Sequence, residues 1–531
     1  MAKRRTKQGE AAKIKSGGLA AFLPKREGTA LIVILILYVL LSVLLFDPKP
    51  FVGGDNAAYV SLSKALAAGR GLAELWTPEQ RPHTQYPFGF PLLLAPISLL
   101  RLPYAWYKII PWLAGLAGIL LSWHIFRKHG PWLAAATCLL LAANPHYLEY
   151  GHWVLSELPF LAALMLSLWA LGRWEGGGDW RWFWGSVLAA AAGIHIRSAG
   201  VALLAAVPIH LAFRGKIKWA LVYLAAVAVL MVPWAVRNAH WGTTGGYLDQ
   251  FLMRDPYQPE LGRAGLGELA SRAGLNLKIY FTTVWPQLLF PGNEALGLGR
   301  AGVLMLLLLS LPALLGTAIG LRDAGAAGWL LLVYLLVSTM WPVVWTDLRF
   351  ALPVLPMMLF FMLRGYRWIL GLLFRDKAFV VSATLLAALA TASLVPVIAR
   401  TGPSMAMQAE YRRGDRLAGY QPQWRGFFQA AEWVKDNTPQ GSIVVSRKPQ
   451  LFHLVSGRRS FCYPFSADAD SVSGRLAKAD YIMVEPVSGT VQRYLIPAVE
   501  PHMGAKYGVV HAVGNPPTYV LKVNKENGDA Q

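Results

Sequence analysis

Asp55 follows a Gly-Gly pair in FVGGDNAAYVSLSKAL (51–66), directly after a long apolar run, and Glu157 opens another such run in NPHYLEYGHWVLSELPF (144–160). A carboxylate at the edge of a polar loop can take the proton of an attacking hydroxyl, and a second one can tune it by like-charge coupling or share a divalent cation with it. Three arginines have the same setting: Arg197 in GIHIRSAG, Arg237 in PWAVRN and Arg349 in WTDLRFALPVLP. A guanidinium fork there matches a phosphate bidentately. Each residue also has a plainer explanation. Asp55 precedes a helix-like segment, where Asp is a favoured cap, and Ser156 and Glu157 precede Pro159, an ordinary helix start. Arginines where lipid meets water snorkel. Glu149 and His152, three positions apart, would share a helical face, but two ligands are too few for a dedicated metal site.

The elements that must hold these groups are membrane spans. The chain has 531 residues, of which 55% are hydrophobic and only 15% charged, a balance that excludes an ordinary soluble protein. Apolar runs approach the roughly 20 residues needed to cross a bilayer at 29–46, 105–126, 132–145, 153–171, 182–196, 199–213, 219–236, 301–320, 328–344, 348–363 and 379–398. That predicts a polytopic α-helical protein of about eleven transmembrane helices. The net charge of +21 then needs no nucleic acid. Its basic residues gather in the tail 1–28 and in alternate loops: Arg127 and Lys128; Arg173 and Arg181; Arg214, Lys216 and Lys218; Arg364, Arg367, Arg375 and Lys377. The positive-inside rule makes those loops cytoplasmic, the N-terminus inside and the C-terminus outside.

Three outer stretches remain: 47–104, 237–300 and 401–531. In the first, a helix is expected over 56–68, and the apolar run 86–100 is broken by Pro87, Gly89, Pro91 and Pro96, so it reads as a short interfacial helix and not a span. The third changes composition after Arg400 and reads as a small α/β domain. Its expected elements are a helix carrying Trp424, Phe427, Phe428, Ala431 and Val434, strands at 442–446, 481–487, 506–513 and 518–523, and helices near 471–478 and 491–499. It has no phosphate-cradling glycine motif. The two cysteines, Cys138 in a span and Cys462 in the outer domain, are not placed to pair.

Carboxylates and arginines thus converge on one face, with aromatic residues Trp76, Tyr86, Phe88, Phe90, Trp285 and Trp345 nearby. Acids to activate a hydroxyl, cations for a lipid phosphate and rings to stack on a sugar describe a glycosyl-transfer site. Two other classes fit the same residues: a transporter or flippase for lipid-linked sugar, and a ligase moving a glycan from a pyrophosphate carrier.

The ordered motifs GGDNAAYVSLSKAL, YPFGFPLLLAP, NPHYLEYGHWVLSELPF, GIHIRSAG, PWAVRNAHWG and WTDLRFALPVLP, between residues 29 and 356, resemble the bacterial members of glycosyltransferase family 39. They are also similar to the related aminoarabinose and protein mannosyl transferases. The resemblance implies a GT-C-like membrane fold in a bacterial inner membrane. It implies a sugar donor carried on polyprenyl phosphate, and a lipid, glycan or protein acceptor on the extracytoplasmic side. By its motifs the first-loop base falls on Asp55, the second acid on Glu157 and the late arginine on Arg349. A divalent cation could be shared by Asp55 and Glu157, and substrate contacts are assigned to Tyr86, His83 and His152. The chain departs from the pattern where Phe88 follows Pro87 in place of a second proline, and where Tyr86 replaces the lysine of the aminoarabinose transferases. Donor-phosphate contacts then fall to Arg349 with Arg197, Arg237 or Lys278.

A reporter enzyme fused after Arg400 is expected to be active only outside the cytoplasm. A cytoplasmic signal would separate the outer domain from the proposed chemistry and contradict this topology.

Overall fold

The computed structural model describes residues 27–51, 55–242, 247–291, 304 and 306–525. Within them every apolar run predicted from sequence is helical. The helices are Glu27–Leu44, Ile109–Phe126, Pro131–Ala142, Glu157–Gly177, Trp180–Ile196, Ala202–Phe213, Ile217–Trp241, Leu311–Gly320, Ala326–Thr339, Leu355–Phe374 and Ala378–Arg412. The start of the 301–320 run lies outside the described residues. Five helical stretches are long and apolar enough to cross a membrane: Glu27–Leu44, Tyr104–His129, Ile217–Trp241, Leu348–Phe374 and Val380–Arg412. Others, such as Pro131–Ala142 and Ala326–Thr339, are shorter. Glu27–Leu44, Ile217–Trp241 and Val380–Arg412 turn most of their apolar surface outward, whereas Leu348–Phe374 is largely enclosed at the centre.

The fourth run differs in detail. Its helix starts at Glu157, and the short helix Pro145–Gly151 precedes it, begun by the Asn144 side chain, which accepts from the backbone of His146 and Tyr147 at 3.1 Å each. The Glu157–Gly177 helix gives the bundle two chemically distinct ends, with Glu157 and Glu175 about 27 Å apart at 1.5 Å per residue. Near its C-terminal end, Glu175 faces His210 at 3.0 Å and Lys216 at 4.0 Å. Lys128 lies within the fields of Glu175 and Asp323, and Arg364 pairs with Asp323 at 2.6 Å. Basic loops assigned to one side by charge therefore meet at one end, and Glu157 stands at the other.

The expected first-loop helix is present as Asn56–Ala67, and the proline-broken run forms the helix Gly89–Leu99. The latter packs against the end of Trp180–Ile196 so closely that a Cβ on Gly89 would lie 2.6 Å from the His195 carbonyl oxygen. Beyond that end the chain turns into a short 3-10 helix, Ser198–Val201, and a Cβ on Gly200 would lie 2.8 Å from the Ile194 backbone. Both contacts are with backbone that cannot step aside, so these glycines fix how the chain turns at Arg197.

The helix from Ala378 runs unbroken through Pro403 to Arg412, so the change in composition at 400 falls inside an element. Beyond it, the helix Pro422–Asn437 buries Phe427, Phe428, Ala431 and Val434 against a five-stranded sheet. The strands are β1 (Ile443–Val445), β2 (Arg459–Phe461), β3 (Tyr481–Val484), β4 (Tyr507–Val513) and β5 (Thr518–Val523), in the order β2-β1-β3-β5-β4. β1 is parallel to β2 and β3, and the β3–β5 and β5–β4 pairs are antiparallel. The sequence reading missed β2 and the helix Pro449–Ser456 before it, because three residues carry too little alternation to register. This unit is seated on the loop that follows the first helix: Phe51 and Ala57 share its core, and the Ser460 N–H donates to the Trp76 carbonyl at 2.6 Å.

Gly89→Ala is expected to destabilise the protein by about 1–3 kcal/mol through overpacking against backbone. Thermal unfolding in detergent checks it, with exposed Gly267→Ala as the comparison.

Candidate active site

Four charged side chains meet where the helices Asn56–Ala67, Glu157–Gly177, Trp180–Ile196 and Leu348–Ala351 converge. Arg349 donates from Nη2 to Asp55 Oδ2 at 2.8 Å and from Nε to Glu157 Oε1. Arg197 donates from Nη1 to the same Glu157 oxygen at 2.8 Å and to Ser156 Oγ at 3.1 Å. Tyr86 completes the set by donating its hydroxyl to Asp55 Oδ1 at 2.9 Å. The ring of Phe350 lies beneath both guanidiniums, 5.1 Å from Arg197 and 5.9 Å from Arg349.

The capping explanation for Asp55 does not hold in the structure. It occupies the position before Asn56–Ala67, but its side chain makes no cap hydrogen bond and reaches across to Arg349. Ser156 likewise makes no side-chain cap, and its hydroxyl serves Arg197. Arg197 ends its helix in an extended conformation, which turns it inward to Glu157 instead of outward to lipid. Arg349 sits on a single turn, Leu348–Ala351, braced by the Tyr334 hydroxyl on the Phe350 carbonyl at 2.8 Å. The strand of chain leading to it is stitched by buried Asn276, which donates to the carbonyls of Thr339 and Trp341 at 2.8 and 2.7 Å and accepts from Thr346 at 2.6 Å.

These groups border a cavity of about 570 Å³. Asp55, Tyr86, Arg197 and Arg349 line it, while Glu157 lies fully buried behind them. The Asp55 carboxylate remains 29% exposed, open enough to meet a substrate. Burial pushes its pKa up, but the charge and hydrogen bonds of Arg349, the Tyr86 hydroxyl and the Arg197 charge outweigh that and hold it below the ordinary 3.8. Asp55 is therefore ionised at neutral pH. A divalent cation does not fit between Asp55 and Glu157, because the Arg349 guanidinium already donates to both carboxylates. Among the described residues, no group of three or more His, Cys, Asp or Glu is placed to hold a metal.

The remaining expected site residues lie elsewhere. His83 is buried, with Nδ1 2.8 Å from Glu74 and Nε2 accepting from the Tyr86 backbone N–H at 2.8 Å, so it orients Tyr86 and does not face the cavity. Arg237 donates to the His83 carbonyl at 2.8 Å and stacks on Trp234, and thereby secures the same loop. His152 packs against Phe46 beside a separate cavity lined by Ser42, Lys108 and Trp112. Lys278 is exposed near the end of the helix Leu266–Ile279, away from the cavity. The Glu149 carboxylate lies 3.9 Å from His146 and 3.8 Å from Arg400. Of the aromatic residues, Tyr86 and Trp345 line the cavity, whereas Trp76, Phe90 and Trp285 are core. Sequence reasoning missed three charged lining residues, Asp347, Arg447 and Lys448. Arg447 and Lys448 lay legible as a basic pair between a strand and Pro449, but in a domain assigned no chemistry.

Residues 102–236 match the family described as dolichyl-phosphate-mannose-protein mannosyltransferase. No curated protein matches the sequence. Among solved structures, the chain is similar to ArnT from Cupriavidus metallidurans bound to undecaprenyl phosphate, with a TM-score of 0.56 at 15% identity over 93% of this chain and 98% of that one. It is also similar to the oligosaccharyltransferase AglB from Archaeoglobus fulgidus in complex with an inhibitory peptide and a dolichol-phosphate. That match has a TM-score of 0.53 at 15% identity, over 86% of this chain and 69% of the other. The fold is thus the GT-C fold that the motifs imply, and the matched family is one of glycosyltransferases.

Arg349→Gln leaves Asp55 without its guanidinium and Glu157 with one of two, so it is expected to cost about 3–5 kcal/mol of stability. Adding Asp55→Asn to that variant removes the unpaired carboxylate and should recover part of the loss in thermal unfolding.

Proposed function

We propose that the chain is a membrane glycosyltransferase that moves a sugar from a polyprenyl-phosphate donor to an acceptor hydroxyl on the extracytoplasmic face. The observation that carries this reading is the ionised, cavity-facing Asp55, held in place by Arg349 and Tyr86 where the bundle meets its outer domain. The acceptor oxygen attacks the anomeric carbon as its proton passes to Asp55. The bond from that carbon to the phosphate oxygen breaks, and its electron pair leaves with the lipid phosphate. A single displacement of this kind inverts the anomeric configuration.

A carboxylate held below the ordinary range is a weak base toward a resting alcohol, but the hydroxyl becomes acidic as its oxygen bonds to carbon, so late transfer suffices. Glu157 and Arg197 keep Arg349 oriented toward Asp55. The collection of basic loops at the opposite end of the bundle supports eleven crossings, with the N-terminus inside and the cavity outside. The match of the fold to proteins solved with undecaprenyl phosphate and dolichol-phosphate supports the donor class.

Asp347 is the alternative base, since it lines the cavity and forms no salt bridge among the described residues. Asp55→Asn is expected to insert and fold normally and to lose sugar transfer by roughly a hundredfold or more, while Asp347→Asn stays near wild type. Transfer from a polyprenyl-phosphate-linked sugar by the purified variants is the measurement. Wild-type turnover in Asp55→Asn with loss in Asp347→Asn would move the base to Asp347.

A further inference from the structure

The leaving phosphate gains a negative charge in this reaction, yet the two arginines of the central network are matched by two carboxylates. Asp55 and Glu157 neutralise Arg197 and Arg349, leaving little net field for an anion. Beyond that network the lining carries one more carboxylate, Asp347, and two cations, so the cavity's surplus positive charge comes from the other side. Arg447 and Lys448 line it from the turn after β1, and neither forms a salt bridge among the described residues. Arg447 uses Nε on Thr490 Oγ1 at 2.8 Å and lies over the Phe465 ring at 4.9 Å. The Lys448 side chain stands within the field of Asp55, on the cavity wall, with no hydrogen-bond acceptor among the described residues.

The local fold prepares this turn for an anion. Lys448 immediately precedes the helix Pro449–Ser456, and Gln450 and Leu451 of its first turn also line the cavity. First-turn N–H groups have no intrahelical acceptor and carry the positive end of the helix dipole. The turn itself is anchored from beneath by Glu485, fully buried on the residue after β3. Its Oε1 accepts from Ser446 Oγ at 2.9 Å and from the Arg447 N–H at 2.6 Å. Burial pushes the Glu485 carboxyl up to about 8, so at neutral pH it holds the turn largely without cancelling its charge. Burial and the neighbouring Arg447 hold Lys448 below the usual lysine range, the condition in which a bound anion is most welcome.

We propose that Arg447 and Lys448 form the phosphate subsite of the cavity, receiving the phosphate of the polyprenyl carrier from the outer domain while Asp55 faces the acceptor. This rests on the glycosyl-transfer reading and adds that the two poles of the reaction are supplied by different parts of the chain. In-line displacement demands such a separation, since base and leaving group must lie on opposite sides of the anomeric carbon. It also releases Arg349 from the phosphate contact expected of it and leaves it to orient the acids.

The test is binding of undecaprenyl phosphate to the full-length protein in detergent, with undecaprenol and inorganic phosphate as the comparison probes. Lys448→Met and Arg447→Gln are each expected to weaken undecaprenyl phosphate binding at least tenfold, Lys448→Arg to retain it, and exposed Lys478→Met, off the cavity wall, to leave it unchanged. Undecaprenol should bind all variants alike, and inorganic phosphate should not displace the lipid at equal concentration. Wild-type affinity for undecaprenyl phosphate in a folded Lys448→Met, Arg447→Gln double variant would overturn the subsite. So would equal binding of inorganic phosphate, which would leave the lipid without a role. Loss of transfer in Asp55→Asn alongside such a result would show that the glycosyl-transfer reading stands and only the subsite falls.

Discussion

One guanidinium holds the site together. Arg349 donates to Asp55 on the loop after the first helix and to Glu157 at the start of a bundle helix, and Glu157 in turn holds Arg197 at the end of the next helix. Four elements distant in sequence are thereby bound through charge-assisted hydrogen bonds, at a depth where an unpaired charge is costly. The constraint works in both directions. The ion pairs require the helix ends to meet, and the ends can meet only because Gly89 and Gly200 let backbone approach backbone near His195 and Ile194. The same pairing keeps Asp55 ionised and aimed at the cavity.

The C-terminal domain is part of this arrangement. Its helix Pro422–Asn437 shares a core with Phe51 and Ala57, on either side of Asp55, and Ser460 is hydrogen-bonded to Trp76. The acid-bearing loop is therefore clamped between bundle and sheet. The turn at Arg447 and Lys448 closes the cavity from above, opposite the arginine–carboxylate network. A cavity with a neutral ion network on one wall and, on another, a cationic turn that outweighs the one further lining carboxylate, Asp347, is polarised.

Much of this was legible in the sequence. Among the described residues each predicted apolar run falls on a helix, because a stretch that must satisfy its backbone in lipid announces itself by composition, whereas the segment 280–289, read as loop, also joins the bundle core. Asp55, Glu157, Arg197 and Arg349 were singled out because ionisable groups at the ends of apolar runs need partners. What the sequence withheld was pairing. It offered Arg197, Arg237 and Arg349 as equals, and only the fold shows two in the network and the third fastening His83. His83 and His152 were read as substrate contacts, but one is spent orienting Tyr86 and the other lies beside a different cavity. Lys448 was passed over for the opposite reason: in sequence it is one of a surface-like basic pair after a strand, and only the docking of the C-terminal domain brings it within the field of Asp55. β2 was missed because its three residues gain their strand character from β1, through register and not through pattern.

The most direct measurement is a structure of the full-length protein with a polyprenyl-phosphate-linked sugar bound. The sugar should lie in the cavity between Asp55 and the turn at Arg447 and Lys448, with the phosphate on the side of that turn and the anomeric carbon facing Asp55. A donor whose phosphate sits among Lys128, Arg364 and Lys216 at the other end of the bundle would contradict the assignment of the site.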